Sequence, residues 1–164
     1  MEEETISGEI EKFLTILGGS DKARTVSWHR QKLRTFERFL NGLLFSASPK
    51  WVPNLNAGQV PEELLEQFKR CGQPLDMPVR VEVRQPGSDW TIMAGGAEYF
   101  VRKETGALNV YSSAHCLPTV ITAVKATHIA QFYARLRAWG LSEATMRGYQ
   151  VSVRAFFGWY YEFR

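Results

Sequence analysis

The sequence predicts a mainly helical protein with an antiparallel β meander inserted in its middle, which is an α+β fold. Three observations support this class. Apolar residues recur with the helical period near both ends of the chain, at 5–44 and 122–160. Between these ends the period changes to two, as in half-exposed strands. The two helical parts also resemble each other, which indicates two related helical hairpins separated by an insertion.

Two helices are predicted in the first part of the chain. The first covers residues 5–17, where apolar side chains form one stripe and a Gly-Gly pair ends the helix. Ser20 or Asp21 then caps a longer helix over about 21–44. The predicted core positions of this second helix are His29, Leu33, Phe36, Leu40 and Leu43.

The middle of the chain, residues 46–118, is predicted to contain a loop, one short helix and a sheet of three or four antiparallel strands. Pro61 suits the first position of a helix that runs to about Arg70. Strand patterns follow at 79–84, 90–94, 98–102 and 107–111. The tight turns that make neighbouring strands antiparallel are predicted at Pro86-Gly87, Gly95-Gly96 and Glu104-Thr105-Gly106.

The helical period returns after Pro118, with one helix over 122–139 and another that Ser142 caps. This last helix repeats the pattern of the earlier long one. Thr145, Tyr149, Val153, Phe156 and Trp159 follow Thr25, His29, Leu33, Phe36 and Phe39 at a constant spacing. A two-helix hairpin cannot bury its stripe alone, so the hairpins should pack into a four-helix unit. We therefore expect a helical domain over 5–45 and 119–164, with 46–118 inserted.

Net charge is unevenly distributed along the chain. The total is only +3 over 164 residues. Residues 20–45 and 122–164 each hold six lysines and arginines against two acids, whereas residues 46–121 hold seven against eight. Two basic segments, one in each helical part, therefore flank a nearly neutral insertion.

Composition excludes several classes of protein. The two cysteines, Cys71 and Cys116, lie far apart, which predicts reduced thiols and a cytoplasmic location. Three scattered histidines add no metal-ligand spacing, so we expect no metal and no cofactor. The acidic start is unlike a signal peptide, and no apolar run approaches the ~20 residues that cross a bilayer, so no membrane partner is expected.

Polar side chains that suit DNA lie opposite the predicted core on both long helices. They are Arg30, Arg34 and Arg38 on the earlier helix and Arg147, Gln150 and Arg154 on the last one. Arginine matches phosphate and guanine geometry, and glutamine can pair with adenine. Thr25 and Thr145, near helix N-termini, could hold phosphates. The alternative is that these residues form the solvated faces of amphipathic helices.

Three stretches near the C-terminus carry a family resemblance: 121–136, Gly140-Leu-Ser-Glu-Ala-Thr145, and Tyr149 followed by Arg154-Ala-Phe-Phe-Gly-Trp159. They resemble the second half of the core-binding, SAM-like domain of tyrosine recombinases, the phage integrase family. Residues 10–44 resemble the first half of that domain. In this family the domain is a small helical bundle that clamps duplex DNA opposite a catalytic domain, and its second and fourth helices approach the major groove.

The resemblance implies which residues contact DNA. Carried over to matching positions, they are Arg24, Thr25, Arg30, Arg34, Thr145, Arg147, Gln150 and Arg154. Two departures accompany the match. The family joins the halves by a short loop, whereas residues 46–118 intervene here, and no HxxR box follows any of the three histidines. We expect the strand-cleaving residues to be missing from a chain that ends at Arg164, and the tyrosines of the last helix to be packing aromatics.

The predicted function is therefore DNA binding by a non-catalytic part of a site-specific recombinase or integrase. Its expected partners are double-stranded DNA, a C-terminal catalytic domain and other recombinase subunits. The expected setting is a mobile element in the nucleoid of a bacterium or archaeon, and the chain alone is expected to be a monomer. The alternative is a protein–protein interaction or accessory module of such an element.

The insertion leaves two alternatives open. Its basic residues either face solvent, which we favour, or extend the DNA contact: Arg80, Arg84, Arg102 and Lys103. Its aromatic residues either pack in the core, which we favour, or stack on bases: Trp90, Tyr99, Phe100 and Tyr111.

Overall fold

A computed structural model describes residues 4–85 and 89–163 of the chain. In chain order its elements are α1 (Ile6–Leu17), α2 (Ala23–Leu40), β1 (Leu43–Ala47), α3 (Val52–Asn56), α4 (Glu62–Arg70), β2 (Val79–Gln85), β3 (Asp89–Ala94), β4 (Ala97–Glu104), β5 (Ala107–Ser112), α5 (Ala126–Ala138) and α6 (Glu143–Phe163). The mixed helical and antiparallel architecture confirms the predicted α+β class.

The chain divides into two compact units. The helical unit contains residues up to Leu40 and from Leu117 onward, and the sheet unit contains Asn41–Cys116. The sequence placed the two junctions near residues 45 and 119. Both junctions lie a few residues earlier in the structure.

All four long helices supply the core of the helical unit. Its fully enclosed side chains include Ile10, Leu33, Phe36, Phe132, Leu136 and Phe156. The ring of Phe36 lies 5.1 Å from that of Phe132, and Phe13 lies 5.8 Å from Phe156, both edge to face. Such pairs add to the stabilisation that burial of the rings supplies.

Backbone hydrogen bonds connect the two ends of the chain within this unit. The amide of Ile6 donates to the carbonyl of Thr119 at 2.8 Å, and the amide of Ile121 donates to the carbonyl of Glu4 at 2.9 Å. Thr5 also caps α1, since its hydroxyl accepts from the amide of Gly8 at 3.1 Å. The segment before α1 is thus held beside the segment before α5.

The sheet unit is a five-stranded antiparallel sheet in the order β1-β5-β4-β3-β2. Helix α4 packs on one of its faces, where the ring of Phe68 lies 5.0 Å from Phe45 and 4.9 Å from Tyr99. The predicted turns at Gly95-Gly96 and Glu104–Gly106 both carry positive φ angles. The predicted turn at Pro86-Gly87 lies outside the described residues.

The prediction of a helix to residue 44 was wrong at its end. Helix α2 stops at Leu40, and Gly42 adopts a φ of 98°. The carbonyl of Gly42 accepts from the amide of Ser112 at 2.9 Å, and a Cβ at this position would lie 2.4 Å from the carbonyl oxygen of Ser112. Only glycine fits this approach. Leu43 is therefore buried in β1 instead of the helical core, and the sheet has five strands instead of three or four.

Two smaller predictions also change. The expected loop after residue 46 contains a 3-10 turn, Pro49–Trp51, followed by α3. The helix predicted from residue 122 begins only at Ala126, after a separate 3-10 turn at Ile121–Ala123.

Candidate nucleic-acid interface

Five arginines of the predicted DNA-binding faces carry charges that no carboxylate neutralises within residues 4–85 and 89–163. Arg24, Arg30, Arg147 and Arg154 are exposed, and Arg38 is half-buried. Since an exposed guanidinium without a partner keeps all five of its donors available, these side chains can bind an external anion.

Arg34 differs from those five arginines. Its guanidinium donates to Glu37 Oε2 at 2.6 Å, to Ser7 Oγ at 3.2 Å and to Glu11. Burial alone would lower the pKa of this group, but the hydrogen bonds and charges of Glu37 and Glu11 raise it. The helical period predicted Arg34 on an open DNA-binding face, whereas the structure places its charge against carboxylates of α1 and α2.

Polar groups at the N-terminus of α6 partly satisfy one another. The amide of Thr145 donates to Ser142 Oγ at 3.2 Å, and Ser142 Oγ donates to Thr145 Oγ1 at 3.0 Å. Ser142 is thus the N-cap that the sequence predicted. Thr145 is exposed beside this cap, whereas Thr25 and Gln150 are half-buried.

A buried lysine lies where α2 meets α6, and sequence analysis missed it. Lys32 is only 9% exposed. Its ammonium lies 4.3 Å from the ring centroid of Tyr149 and 5.1 Å from that of Trp28. Within the described residues the ammonium has no hydrogen bond or ion pair, and its burial lowers its pKa. Two aromatic faces stabilise the charge in place of a carboxylate.

Gly148 makes the close approach of α6 to Lys32 possible. A Cβ at this position would lie 2.9 Å from Lys32 Cε and 3.1 Å from Trp28 Cζ2. The sequence held two signals for this contact. A lysine stands one helical turn from both Trp28 and Phe36, and a glycine interrupts the helical pattern of α6.

A second polar contact joins the same two helices. His29 is buried, as predicted, and its Nδ1 lies 2.8 Å from Oγ of the fully buried Ser152. Burial lowers the pKa of His29, and the charge of Asp21 partly opposes this effect. The lowered pKa favours the neutral form of the imidazole. Together with Lys32, this contact fixes how the basic faces of α2 and α6 are presented.

The charge of Arg154 acts on a tyrosine of α5. Burial raises the pKa of the Tyr133 hydroxyl, and the positive charge of Arg154 acts in the opposite direction. Arg154 nevertheless remains exposed.

The sheet unit presents fewer free cations. Arg80 forms an ion pair with Glu82 at 3.1 Å, and the guanidinium of Arg102 lies 5.5 Å from the ring centroid of Tyr111. Lys103 is exposed, and the side chain of Arg84 lies outside the described residues. The aromatic rings of Trp90, Tyr99 and Tyr111 are buried, and Phe100 is half-buried. Core packing thus explains the first three rings.

The part of the chain that the structure describes contains no group of three or more His, Cys, Asp or Glu side chains able to hold a metal ion. None of its helices is long and apolar enough to cross a membrane. Comparison of the chain with protein-family models, curated proteins and solved structures gave no match.

Proposed function

We propose that the helical unit binds duplex DNA through α2 and α6 and is the core-binding, SAM-like domain of a tyrosine recombinase. One observation carries the proposal: Arg30, Arg147 and Arg154 are exposed and lack ion-pair partners among the described residues, whereas Arg34 is neutralised. Each unpaired arginine on these two packed helices can donate two parallel hydrogen bonds to a phosphate group, which suits DNA binding.

The contact between α2 and α6 supports the same proposal. Lys32 and His29 each reach from α2 to a residue of α6, so the two helices form one surface. A rigid pair of helices can present its arginines at a fixed spacing, which reduces the ordering cost of binding. The resemblance to the core-binding domain assigns DNA contact to these same two helices.

In the proposed role the chain grips DNA and leaves strand cleavage to a catalytic domain. Arg24, Thr25, Arg38, Thr145 and Gln150 complete the contact surface, and Arg34 contributes by holding α1 against α2. The target sequence is set by base contacts, for which the arginines and Gln150 have suitable chemistry.

Salt dependence of binding tests the proposal. Fluorescence anisotropy should measure binding of a labelled mixed-sequence duplex over a series of salt concentrations. The logarithm of the binding constant should fall linearly with the logarithm of the salt concentration. The double variant Arg30→Ala/Arg154→Ala should bind more weakly, and its slope should be shallower by about 0.9 for each phosphate that the variant no longer binds.

A charge-matched control separates the proposed surface from net charge. The double variant Lys69→Ala/Arg70→Ala removes two exposed positive charges from α4 of the sheet unit. It should retain the affinity and salt slope of the unmodified protein. Equal losses in both double variants, or binding that salt does not affect, would refute the assignment to α2 and α6.

A further inference from the structure

Strand β2 is an edge strand of the sheet. Within the described residues it pairs with β3 and with no other strand, through the partners Val79–Ala94, Val81–Ile92 and Val83–Trp90. Its other side therefore offers backbone donors and acceptors without a strand partner. Such edges pair with another strand unless something blocks them.

Strand β2 combines an apolar face with a charged face. Val79, Val81 and Val83 lie on the face against which α3 and α4 pack. Val81 pairs with Ile92, which pairs with Tyr99 beside α4. Trp90, the partner of Val83, donates to Asn56 of α3 at 2.8 Å. Ile92 is fully buried, but Val81 is half-buried and Val83 is 43% exposed. The apolar row thus reaches the edge of the sheet and is left partly uncovered there.

Two residues of opposite charge, Arg80 and Glu82, lie on the opposite face of β2. Arg80 and Glu82 have side-chain exposures of 71% and 54%, and they form an ion pair with each other at 3.1 Å. Exposed ion pairs of this kind contribute little stability. Both side chains can therefore exchange partners at little cost.

We propose that β2 pairs antiparallel with β2 of a second copy of this chain, about a twofold axis through Val81. In this register Arg80 of each copy faces Glu82 of the other, and Val79 faces Val83. Both charge pairs are attractive, and the uncovered valines form a continuous row across the axis. A twofold contact repeats every interaction, so one favourable pair becomes two.

Neighbouring registers do not share this complementarity. Centring the axis on Arg80 places arginine against arginine, and centring it on Glu82 places glutamate against glutamate. A shift by a single residue would place the valines opposite charged residues and expose them. The irregularity between Val83 and Gln85 limits regular pairing to the residues around Val81. The edge thus specifies one register, and the expectation of a monomer is replaced by that of a weak dimer.

Reversing the charge of Arg80 or of Glu82 tests the proposed register. Analytical ultracentrifugation of the full chain should show a concentration-dependent dimer. Arg80→Glu and Glu82→Arg should each raise the dimer dissociation constant about tenfold or more, because each places like charges opposite each other twice. Equal mixtures of the two variants should form a heterodimer, since every facing pair is then opposite in charge. The double variant Arg80→Glu/Glu82→Arg should regain the homodimer.

Unchanged circular dichroism of the single variants provides the folding control. A monomer at the highest accessible protein concentration would overturn the proposal. So would a dimer whose dissociation constant is insensitive to both reversals, or variants that fail to associate when mixed.

Discussion

Arg34 on α2 and Arg154 on α6 occupy corresponding positions of the sequence repeat but have different surroundings. Arg34 is half-buried and binds Glu11 and Glu37, whereas Arg154 is exposed and forms no ion pair with the described residues. The helical positions are equivalent, so residues around them, on the same helix and on neighbouring helices, must cause the difference.

The repeat itself shows where this difference originates. In the first helix of each hairpin, Phe13 and Leu17 align with Phe132 and Leu136, so that Glu11 aligns with Ala130. Glu37 aligns with Phe157 at the spacing of the long helices. Neither Ala130 nor Phe157 has a carboxylate to accept from a guanidinium. Arg34 therefore holds α1 against α2 through an ion pair, whereas the guanidinium of Arg154 remains available to bind an external anion. Charge patterns on single helices cannot distinguish these two roles, because the deciding carboxylates partly lie on another helix.

The largest expected effect concerns the positions where α2 and α6 are alike. Phe36 and Phe156 correspond in the repeat, and both are fully buried. Phe36 packs 5.1 Å from Phe132, and Phe156 packs 5.1 Å from Phe157. Replacing either with alanine should lower the free energy of unfolding by about 3–5 kcal/mol, because each leaves a cavity in the same core.

Urea denaturation followed by far-ultraviolet circular dichroism measures this effect. Tyr161→Ala, which removes an aromatic side chain that is 62% exposed, is the matched control and should change stability by at most about 0.5 kcal/mol. If only one of the two core replacements lowers the free energy of unfolding, the two hairpins do not contribute equally to the stability of the helical unit.

Much of the fold was predictable because local sequence determines it. The periods of α1, α6 and strands β2–β5 predict these elements close to their observed ranges, and Pro61 marks the start of α4. Strand β1 could not be found in this way. Its pairing with β5 depends on Gly42 meeting the backbone of Ser112, which lies far away in the sequence.

The candidate site was predictable to a smaller extent. Exposure of Arg30, Arg147 and Arg154 follows from the helical period alone. The pairing of Arg34 with Glu11 and the enclosure of Lys32 do not, since both depend on which helix lies alongside. Only the packed arrangement reveals that a lysine of α2 is held between Trp28 and Tyr149.

The second expected effect sharpens the contrast between Arg34 and Arg154. Arg154→Ala should weaken DNA binding about tenfold, which is the effect of removing one charge-assisted hydrogen bond, and leave stability almost unchanged. Arg34→Ala should lower the free energy of unfolding by about 1 kcal/mol, since its ion pairs are partly shielded from solvent. It should change DNA affinity much less.

Anisotropy titrations and urea denaturation of the same two proteins provide both measurements. Arg34→Lys and Arg154→Lys are useful companions, because lysine keeps the charge but does not provide the fork that contacts two carboxylates. Matching reductions of affinity in the two alanine variants would show that Arg34 also contacts DNA, and the two arginines would then share one role.

The smallest expected effect comes from His29, whose counterpart on α6 is Tyr149. Burial lowers the pKa of His29 below its ordinary value of 6.5, so the unfolded chain binds a proton that the folded chain does not. Stability should therefore rise with pH as it passes from the lowered value to about 6.5, and fall as pH decreases through that range. Unfolding free energies near pH 5.5 and pH 7.5 should show a smaller difference in His29→Gln than in the unmodified protein. An identical pH dependence in both proteins would show that His29 on α2 does not make the stability of the helical unit depend on pH.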